Sequence, residues 1–344
     1  MTLRSILSGV ALLAGISAVS AAGFAPIDIR TQPIARFALP AGGPLEFRGG
    51  LVLTSSDRSF GSWSGLDFSS DGQTLYAVAD DGDWLSLRLV ESGGRLVGIE
   101  SARLAPLLDD KGKPILRKVQ ADAEGLRIVK RNGIDMAYVS FEQIPDVRVF
   151  RGPDFVTAKP THMTLPRAVQ GMADNLGLEA LAVAPAGGSL AGGVVVIAEH
   201  FLDREGNHRG FILDGPRAGA LTLRRSDDFD VSDAAFLPNG DLLVLERKFG
   251  FLSGFAMRIR QIPAAMVVPG ALLDGPLLIS ADSLTGVDNM EGMAVRPQPD
   301  GSAAIFLISD DNHSFLQRTI LLAFATKPMS AIQPVVARDT PPPP

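Results

Sequence analysis

The feature that most constrains the fold of this chain is a unit of two short apolar runs joined by a turn, which occurs five times. Each unit begins at, or one residue before, an acidic or small polar residue, and ends at an acidic residue or, in the last unit, at an asparagine that follows two aspartates. The units cover residues 64–81, 124–142, 178–199, 232–246 and 290–312. Counted from Ser64, Glu124, Glu179, Asp233 and Glu291, their starts are 60, 55, 54 and 58 residues apart. This regular spacing predicts stacked or radially arranged units, slightly longer than the propeller repeats of about 40 to 50 residues.

The apolar runs of each unit are typical of strands joined by hairpins. In the first unit, residues 66–68 and 75–79 are apolar and flank the turn residues 70–72. Short runs rich in Val, Ile, Leu, Phe and Tyr between Gly, Asp and Asn favour strands. Two further strand-like runs, 84–90 and 96–104, follow the acidic end of that unit. Four strands per unit is the composition of a propeller blade.

No convincing amphipathic helix lies between the units, which argues against an alternating strand and helix fold. We therefore predict an all-β protein, a β-propeller with five visible four-stranded repeats and five or six blades. Residues 34–39 and 45–53 resemble strands, whereas the last unit is followed only by 319–324 and 332–336. N-terminal strands are thus expected to complete the last blade and close the ring. The predicted propeller domain spans 33–336, and the proline-rich residues 337–344 are expected to form a disordered tail.

The N-terminal residues resemble an export signal. Arg4 precedes a mostly apolar run over 6–19, and Val19-Ser20-Ala21 offers a small-residue cleavage site. This pattern predicts a signal peptide over 1–21 and a periplasmic or secreted protein; the alternatives are an N-terminal membrane anchor and a buried helix. No later segment approaches the roughly 20 apolar residues of a membrane span.

Composition excludes several classes of function. The chain has no cysteine, which excludes disulfides, thiolate metal sites and a cysteine nucleophile. Its formal net charge is -6 at pH 7, and no run of lysine or arginine stands out. A nucleic-acid partner is therefore not expected. A small-molecule substrate such as an anionic ester remains compatible with this charge because a metal ion can invert the local sign.

The acidic residues of the units are the candidate metal ligands. The first strand of a propeller blade lines the central channel, so the acidic starts and ends should converge at one mouth. Burying several uncompensated carboxylates costs several kcal/mol per charge, which a hard cation such as Ca²⁺ relieves. Zn²⁺ is not favoured, since the four histidines are scattered and there is no cysteine. The predicted ligands are Glu124, Glu179, Glu291, Asp310 and Asp311.

Other residues near the same mouth are the candidates for catalysis and substrate binding. Glu142 and Glu246 are predicted as general bases, and His200, which follows an acidic end, as an acid or base. Arg247 and Lys248 are candidates for holding an anionic group of the substrate. The alternative for all of these residues is structural: carboxylates that cap turns or pair with the basic residues, and an imidazole at the surface.

Short motifs within the units resemble a known family. They are Phe60-Gly61-Ser62-Trp63-Ser64-Gly65-Leu66, Glu124-Gly125-Leu126, Ser140-Phe141-Glu142, Gly177-Leu178-Glu179-Ala180-Leu181, Leu243-Val244-Leu245-Glu246-Arg247-Lys248-Phe249, Asn289-Met290-Glu291-Gly292 and Ile308-Ser309-Asp310-Asp311-Asn312. Their order and spacing over about residues 33–335 resemble the bacterial exported family described as having esterase-like activity of phytase. The resemblance implies an exported propeller with Ca²⁺-assisted hydrolysis of phosphate or carboxylate esters.

Two functions are therefore expected to compete. The first is an exported metal-dependent hydrolase of phosphate or carboxylate esters that acts at the acidic mouth of the channel. The second is a non-catalytic periplasmic propeller that binds a cation or small ligand there. Propellers host many functions, so the fold alone does not choose between them.

Overall fold

A computed structural model of the chain describes residues 23–39, 43–170 and 177–327. The predicted signal peptide over 1–21, the strand-like run 332–336 and the tail 337–344 lie outside the described residues. Within the described residues, no helix combines the length and apolar character needed to cross a membrane.

Strands form nearly all of the regular structure and are arranged in five small sheets. The N-terminal strands are β1 (Ala25–Ile27), β2 (Ile29–Ile34) and β3 (Leu45–Ser55). Blade 1 contains β4 (Trp63–Phe68), β5 (Leu75–Ala79), β6 (Asp83–Ser92) and β7 (Arg95–Pro106). Blade 2 contains β8 (Ala123–Arg131), β9 (Ile134–Phe141), β10 (Asp146–Arg151) and β11 (Thr161–His162).

The remaining strands complete the ring. Blade 3 contains β12 (Ala180–Val183), β13 (Val194–Leu202), β14 (His208–Ile212) and β15 (Gly219–Leu223). Blade 4 contains β16 (Asp230–Phe236), β17 (Leu242–Gly250), β18 (Gly254–Ile262) and β20 (Leu277–Asp282), while β19 (Leu272–Leu273) joins β15 of blade 3 in parallel. Blade 5 contains β21 (Asn289–Pro297), β22 (Ala303–Asp310) and β23 (Thr319–Thr326). The short helices are α1 (Lys118–Ala121) and α2 (Arg167–Gln170), with 3₁₀ turns at Phe155–Thr157, Ala264–Met266 and Ser283–Thr285.

The architecture is a five-bladed β-propeller, which confirms the predicted fold and decides between five and six blades. The innermost strands β4, β8, β12, β16 and β21 contact one another in sequence around the ring, and β21 contacts β4. Five apolar clusters lie between the five pairs of adjacent blades. Between blades 1 and 5, for example, the rings of Phe68 and Phe306 meet edge to face with centroids 5.0 Å apart.

N-terminal strands close the ring, as predicted. β3 pairs antiparallel with β23, with Leu53 opposite Thr319, and β2 then covers the free edge of β3. The predicted strand at 34–39 is wrong, since β2 ends at Ile34, where its register with Gly50 stops. The apolar residues after it are buried without strand pairing: the Phe37 ring packs against Phe324 at 5.3 Å.

Glycines allow the inner strands to approach closely around the axis. The register of β4, β8 and β21 is irregular near its start, and each irregularity contains or adjoins a glycine. A Cβ atom on Gly65 would lie 2.6 Å from the backbone oxygen of Glu124 on the next inner strand, and one on Gly292 would lie 2.4 Å from that of Ser64. A side chain at these positions would therefore push adjacent blades apart.

A buried ion pair fills the channel between the inner strands. The Arg127 side chain of β8 donates to an Asp233 carboxylate oxygen of β16 at 2.7 Å, and both residues are buried. Arg127 also donates to the backbone oxygen of Leu66 on β4 at 2.9 Å, and Asp233 accepts from the backbone N–H of Met293 on β21 at 2.8 Å. This axial ion pair thus connects four of the five inner strands. Removing one partner of such a pair costs about 3–5 kcal/mol.

The close approach of the inner strands can be tested at Gly125. A Cβ atom there would lie 2.5 Å from the Leu181 Cβ and 2.6 Å from the Ser140 Oγ. Gly125→Ala is expected to lower the free energy of unfolding by about 1–3 kcal/mol because the blades must separate. Gly187→Ala is the matched control, because no atom lies within 4 Å of a Cβ built there. Equal thermal midpoints for the two variants would contradict this account.

Candidate functional site

Strand pairing places equivalent residues of each blade around one mouth of the channel. The residue at the start of each inner strand forms a first ring, and the residue at the end of each second strand forms a second ring. The first ring is Ser64, Glu124, Glu179, Ser232 and Glu291, and the second ring is Asp80, Glu142, Glu199, Arg247 and Asp310. The rings follow from register alone: Asn289 pairs with Asp310, and Asp230 pairs with Arg247 at the same place in blade 4.

All residues of the two rings except Ser232 line a large acidic cavity of about 1040 Å³. Nine carboxylates line it: Asp80, Asp122, Glu124, Glu142, Glu179, Glu199, Asp288, Glu291 and Asp310. Three cationic side chains, Lys118, Arg247 and Arg318, line it as well. Negative charge therefore dominates the mouth. We call this space the acidic cavity.

Six of the ten residues predicted from the sequence as site residues line the acidic cavity. They are Glu124, Glu142, Glu179, Arg247, Glu291 and Asp310. Four others, His200, Glu246, Lys248 and Asp311, do not line it.

Glu246 is displaced from the cavity because blade 4 is offset by one residue from the acidic pattern. Arg247, not Glu246, occupies the second ring, and successive residues of a strand point to opposite faces. The Glu246 carboxylate is fully buried and accepts hydrogen bonds from Arg258 at 2.9 Å and Arg260 at 2.8 Å. We therefore assign Glu246 a structural role in place of the predicted base. The same offset gives the first ring Ser232 and directs Asp233 into the axial ion pair.

The other three residues have local partners at the edge of the mouth or outside it. The Asp311 carboxylate caps a turn, accepting from the backbone N–H groups of Ser62 and His313. The Lys248 ammonium donates to the backbone oxygen of Asp227 at 3.3 Å. His200 is half-exposed, and its Nδ1 lies 2.9 Å from a Glu199 oxygen. That contact raises the pKa of His200.

Burial and mutual repulsion make the cavity carboxylates hard to ionise. Burial, reinforced by the Asp122 carboxylate, raises the pKa of Glu142 to about 7. Burial and the neighbouring Glu291 raise the pKa of Asp310 to about 7 as well. Burial and the surrounding carboxylates also hold the pKa values of Glu124 and Glu179 well above their usual range. The site therefore favours either protons or a cation.

Each cationic side chain of the cavity is engaged by carboxylates. Arg247 lies 2.8 Å from Glu291 and 3.2 Å from Glu199, so it joins blades 3, 4 and 5. Lys118 lies 2.7 Å from Asp80 and 3.5 Å from Asp122. Arg318 lies 3.5 Å from Asp288.

Lys118 and Asp122 were missed by sequence reasoning. Lys118 belongs to α1 between blades 1 and 2, where no repeat marks it. Asp122 could have been found, because it precedes Glu124 by two residues as Asn289 precedes Glu291.

Several oxygen atoms of the acidic cavity have no donor. Within residues 23–39, 43–170 and 177–327, the side chains of Glu124 and Glu179 form no hydrogen bond or ion pair. Asp80 Oδ1 and Asn289 Oδ1 are buried and have no hydrogen-bond partner. Asp122, Glu124 and Glu142 can bring one oxygen each to within 4.8 Å of one another. An all-oxygen set of this kind fits Ca²⁺ or another hard cation, and no histidine lines the cavity to favour Zn²⁺.

Comparison with known families agrees with this architecture. A family model described as "Phytase-like: Esterase-like activity of phytase" matches residues 58–313. The chain belongs to this family. The matched segment contains all five inner strands and every residue of the two rings. The predicted family resemblance is therefore confirmed. No curated protein matches the chain.

Solved structures resemble this chain only distantly. A GH43_1 enzyme from Xanthomonas citri is 12% identical with a TM-score of 0.42, over 77% of this chain and 87% of that one. An endo-1,4-beta-xylanase from Bacteroides thetaiotaomicron is 10% identical with a TM-score of 0.44, over 76% and 91%. The RRP9 WD40 repeats are 11% identical with a TM-score of 0.38, over 84% and 100%. Values this low carry no conclusion about function.

The raised pKa values predict that the protein loses stability between acidic and neutral pH. Folding raises the pKa of Glu142 from 4.5 to about 7, and that of Asp310 from 3.8 to about 7. Between about pH 4.5 and 7 the folded state therefore keeps protons that the unfolded state has lost, so the free energy of unfolding falls as pH rises.

Thermal midpoints from pH 5 to 8 in the presence of a chelator measure this effect. Glu142→Gln is expected to reduce the fall in thermal midpoint between pH 5 and 8. Glu205→Gln, at an exposed turn position outside the cavity, should leave that fall unchanged. Stability that rises steadily from pH 5 to 8 would contradict the prediction.

Proposed function

We propose that this protein is a cation-dependent hydrolase of phosphate or carboxylate esters that acts in the acidic cavity. The predicted signal peptide supports a periplasmic or secreted location. The family description names an esterase-like activity. The single observation that carries the proposal is the set of buried or ring-positioned oxygens without a donor, on Glu124, Glu179, Asp80 and Asn289.

Glu124 and Glu179 are the best candidates to hold the cation, with Asp122 beside Glu124. Neither ring glutamate has an ion-pair partner among the described residues, and burial together with the Glu124 carboxylate raises the pKa of Glu179. Glu291 and Asp310, also predicted as ligands, are partly committed to Arg247 and Asn289. When bound, Ca²⁺ would polarise a phosphoryl or carbonyl oxygen and lower the pKa of a water molecule.

Glu142 is the best-placed general base. Its side chain is half-exposed toward the cavity, it makes no ion pair with a described cation, and one of its oxygens can lie within 4.8 Å of oxygens from Asp122 and Glu124. The Glu142 carboxylate would accept the proton of the attacking water as the new bond to phosphorus or carbon forms. The bond to the ester oxygen then breaks, and the leaving alcohol takes up that proton from Glu142. Arg247, fixed between Glu199 and Glu291, would orient those two carboxylates.

The pairing of the cationic side chains favours the alternative function, a non-catalytic binding protein. Because Lys118, Arg247 and Arg318 each contact a carboxylate, the described cavity has no unpaired cation for an anionic group. A non-catalytic propeller that binds a cation or small ligand would need no unpaired cationic side chain. Turnover distinguishes the two functions.

Cation binding can be tested by thermal stability. A cation that binds only the folded state at a hundredfold excess over its dissociation constant stabilises it by about 2.7 kcal/mol. Ca²⁺ is therefore expected to raise the thermal midpoint of the metal-free protein, and Glu124→Gln or Glu179→Gln to reduce that rise. Glu205→Gln is the matched control. Identical melting curves with Ca²⁺ and with chelator would remove the proposed cation site.

Turnover can be tested with phosphate monoesters, aryl esters and lactones, each with Ca²⁺ and with chelator. Hydrolysis that chelation abolishes and Ca²⁺ restores is expected for the enzyme. Stabilisation by Ca²⁺ without hydrolysis of any ester would favour the binding protein.

The role of Glu142 predicts a separate effect on catalysis. Glu142→Gln is expected to lower kcat by about 10²- to 10⁴-fold, the range for a general base, because the amide cannot accept the proton. The Ca²⁺-dependent rise in thermal midpoint should fall less than in Glu124→Gln, because Glu124 and Glu179 are intact and the glutamine amide still offers a carbonyl oxygen to the cation. A variant that keeps wild-type kcat would exclude Glu142 as the base.

A further inference from the structure

Exposed apolar side chains are concentrated beside the acidic cavity. Among the described residues, six of the seven large apolar side chains that are more than three-fifths exposed come from three loops of blades 4 and 5. They are Phe249, Phe251, Leu252, Leu284, Phe315 and Leu316. We call this group the apolar rim. Exposure is extreme at Phe251, Leu252, Leu284 and Phe315, which are 93%, 97%, 96% and 95% exposed. A cluster of this kind, unlike a single exposed leucine, marks a binding surface.

The three loops are held together as one surface. The Phe249 and Phe255 rings of the β17–β18 hairpin lie 4.9 Å apart. Ser283, in the turn that contains Leu284, donates its hydroxyl to the backbone oxygen of Phe255 at 2.9 Å. The backbone N–H of Arg318, which ends the third loop, donates to Asp288 at 3.2 Å. The rim is therefore built into the mouth.

The apolar rim is continuous with the acidic cavity. Phe249, Phe255 and Leu316 line the same space as Glu179 and Glu291. A ligand whose polar group reaches the carboxylates can therefore lie against these side chains. A wholly polar substrate, such as a multiply phosphorylated polyol, would leave them in water and gain nothing from them.

We propose that the substrate is an amphiphilic ester, with a polar phosphate or carboxylate ester group and an extended apolar group that lies on the apolar rim. This inference rests on the proposed function and specifies its substrate class. The ester group would occupy the acidic cavity and the apolar group would cover Phe249 and Leu316, extending toward Phe251 and Phe315. An anionic membrane surface fits this face less well, because nine carboxylates line the adjoining cavity and the chain carries a formal charge of -6.

Binding of non-hydrolysable ligands tests the proposal without relying on turnover. Methyl-, hexyl- and decylphosphonate share one head group. Their binding is measured by titration calorimetry in the presence of Ca²⁺, at micromolar ligand concentrations that keep them monomeric and dissolved. Affinity for the wild-type protein is expected to rise about two- to fourfold for each methylene that the rim covers. The increase in affinity with chain length should be smaller in Phe249→Ser and in Leu316→Ser.

Val97→Ser is the matched control, because Val97 is 46% exposed on outer strand β7 of blade 1 and does not line the cavity. It should keep the full dependence on chain length. Thermal midpoints verify that all three variants fold; exposed side chains at these positions make large losses of stability unexpected.

The outcomes separate this inference from the proposed function. If methylphosphonate binds with Ca²⁺ and affinity does not change with chain length, the amphiphilic substrate is wrong and the hydrolytic site stands. If no phosphonate binds, the amphiphilic substrate is wrong, and turnover of the aryl esters and lactones decides the proposed function separately. If light scattering shows a wild-type dimer that the two rim variants abolish, a second copy of the chain covers the rim, and the proposal is overturned.

Discussion

The close approach of the five inner strands around one axis is the constraint on which the rest of the molecule depends. Gly65, Gly125 and Gly292 have no side chain where the next strand passes, and the axial pair of Arg127 and Asp233 fills the space that remains. With the strands this close, the residue that starts each inner strand must lie near its four equivalents. The acidic cavity is therefore a consequence of ring closure, and β3 contributes to it indirectly by completing blade 5.

Convergence of this kind is unfavourable when the equivalent residues are carboxylates. Three glutamates occupy the first ring and four carboxylates the second, and burial raises the pKa of every one for which a shift is resolved. Arg247 and Lys118 offset part of the charge, but Glu124 and Glu179 have no such partner among the described residues. A fold optimised only for stability would place neutral residues there, as Ser64 and Ser232 show. Charge at this place is the physical basis for the proposed cation site.

The sequence was sufficient for the fold and for most of the acidic cavity. Short apolar runs, turns and even spacing predicted the blades, and the acidic starts and ends predicted Glu124, Glu142 and Asp310 at one mouth. The prediction for blade 4 was wrong because we matched acidic residues between units without considering that successive strand residues point to opposite faces. Glu246 lies one residue before the cavity position, so its side chain points away from the cavity and accepts a hydrogen bond from Arg258. Matching apolar positions instead would have aligned Arg247 with Asp310. Lys118 could not have been found, since α1 lies between the repeats.

The repeat explains the symmetry of the mouth, and the departures from that symmetry give its walls different chemistry. Equivalent strand positions supply carboxylates from almost every blade, so by themselves they present similar chemistry around the axis. The turns and loops of blades 4 and 5 add Phe249, Leu284 and Phe315, and the connection between blades 1 and 2 adds Lys118. The two additions belong to different parts of the ring, one apolar and one cationic. A ligand that spans the mouth therefore meets chemically different walls, and its orientation is determined by loops that the repeat leaves free to vary.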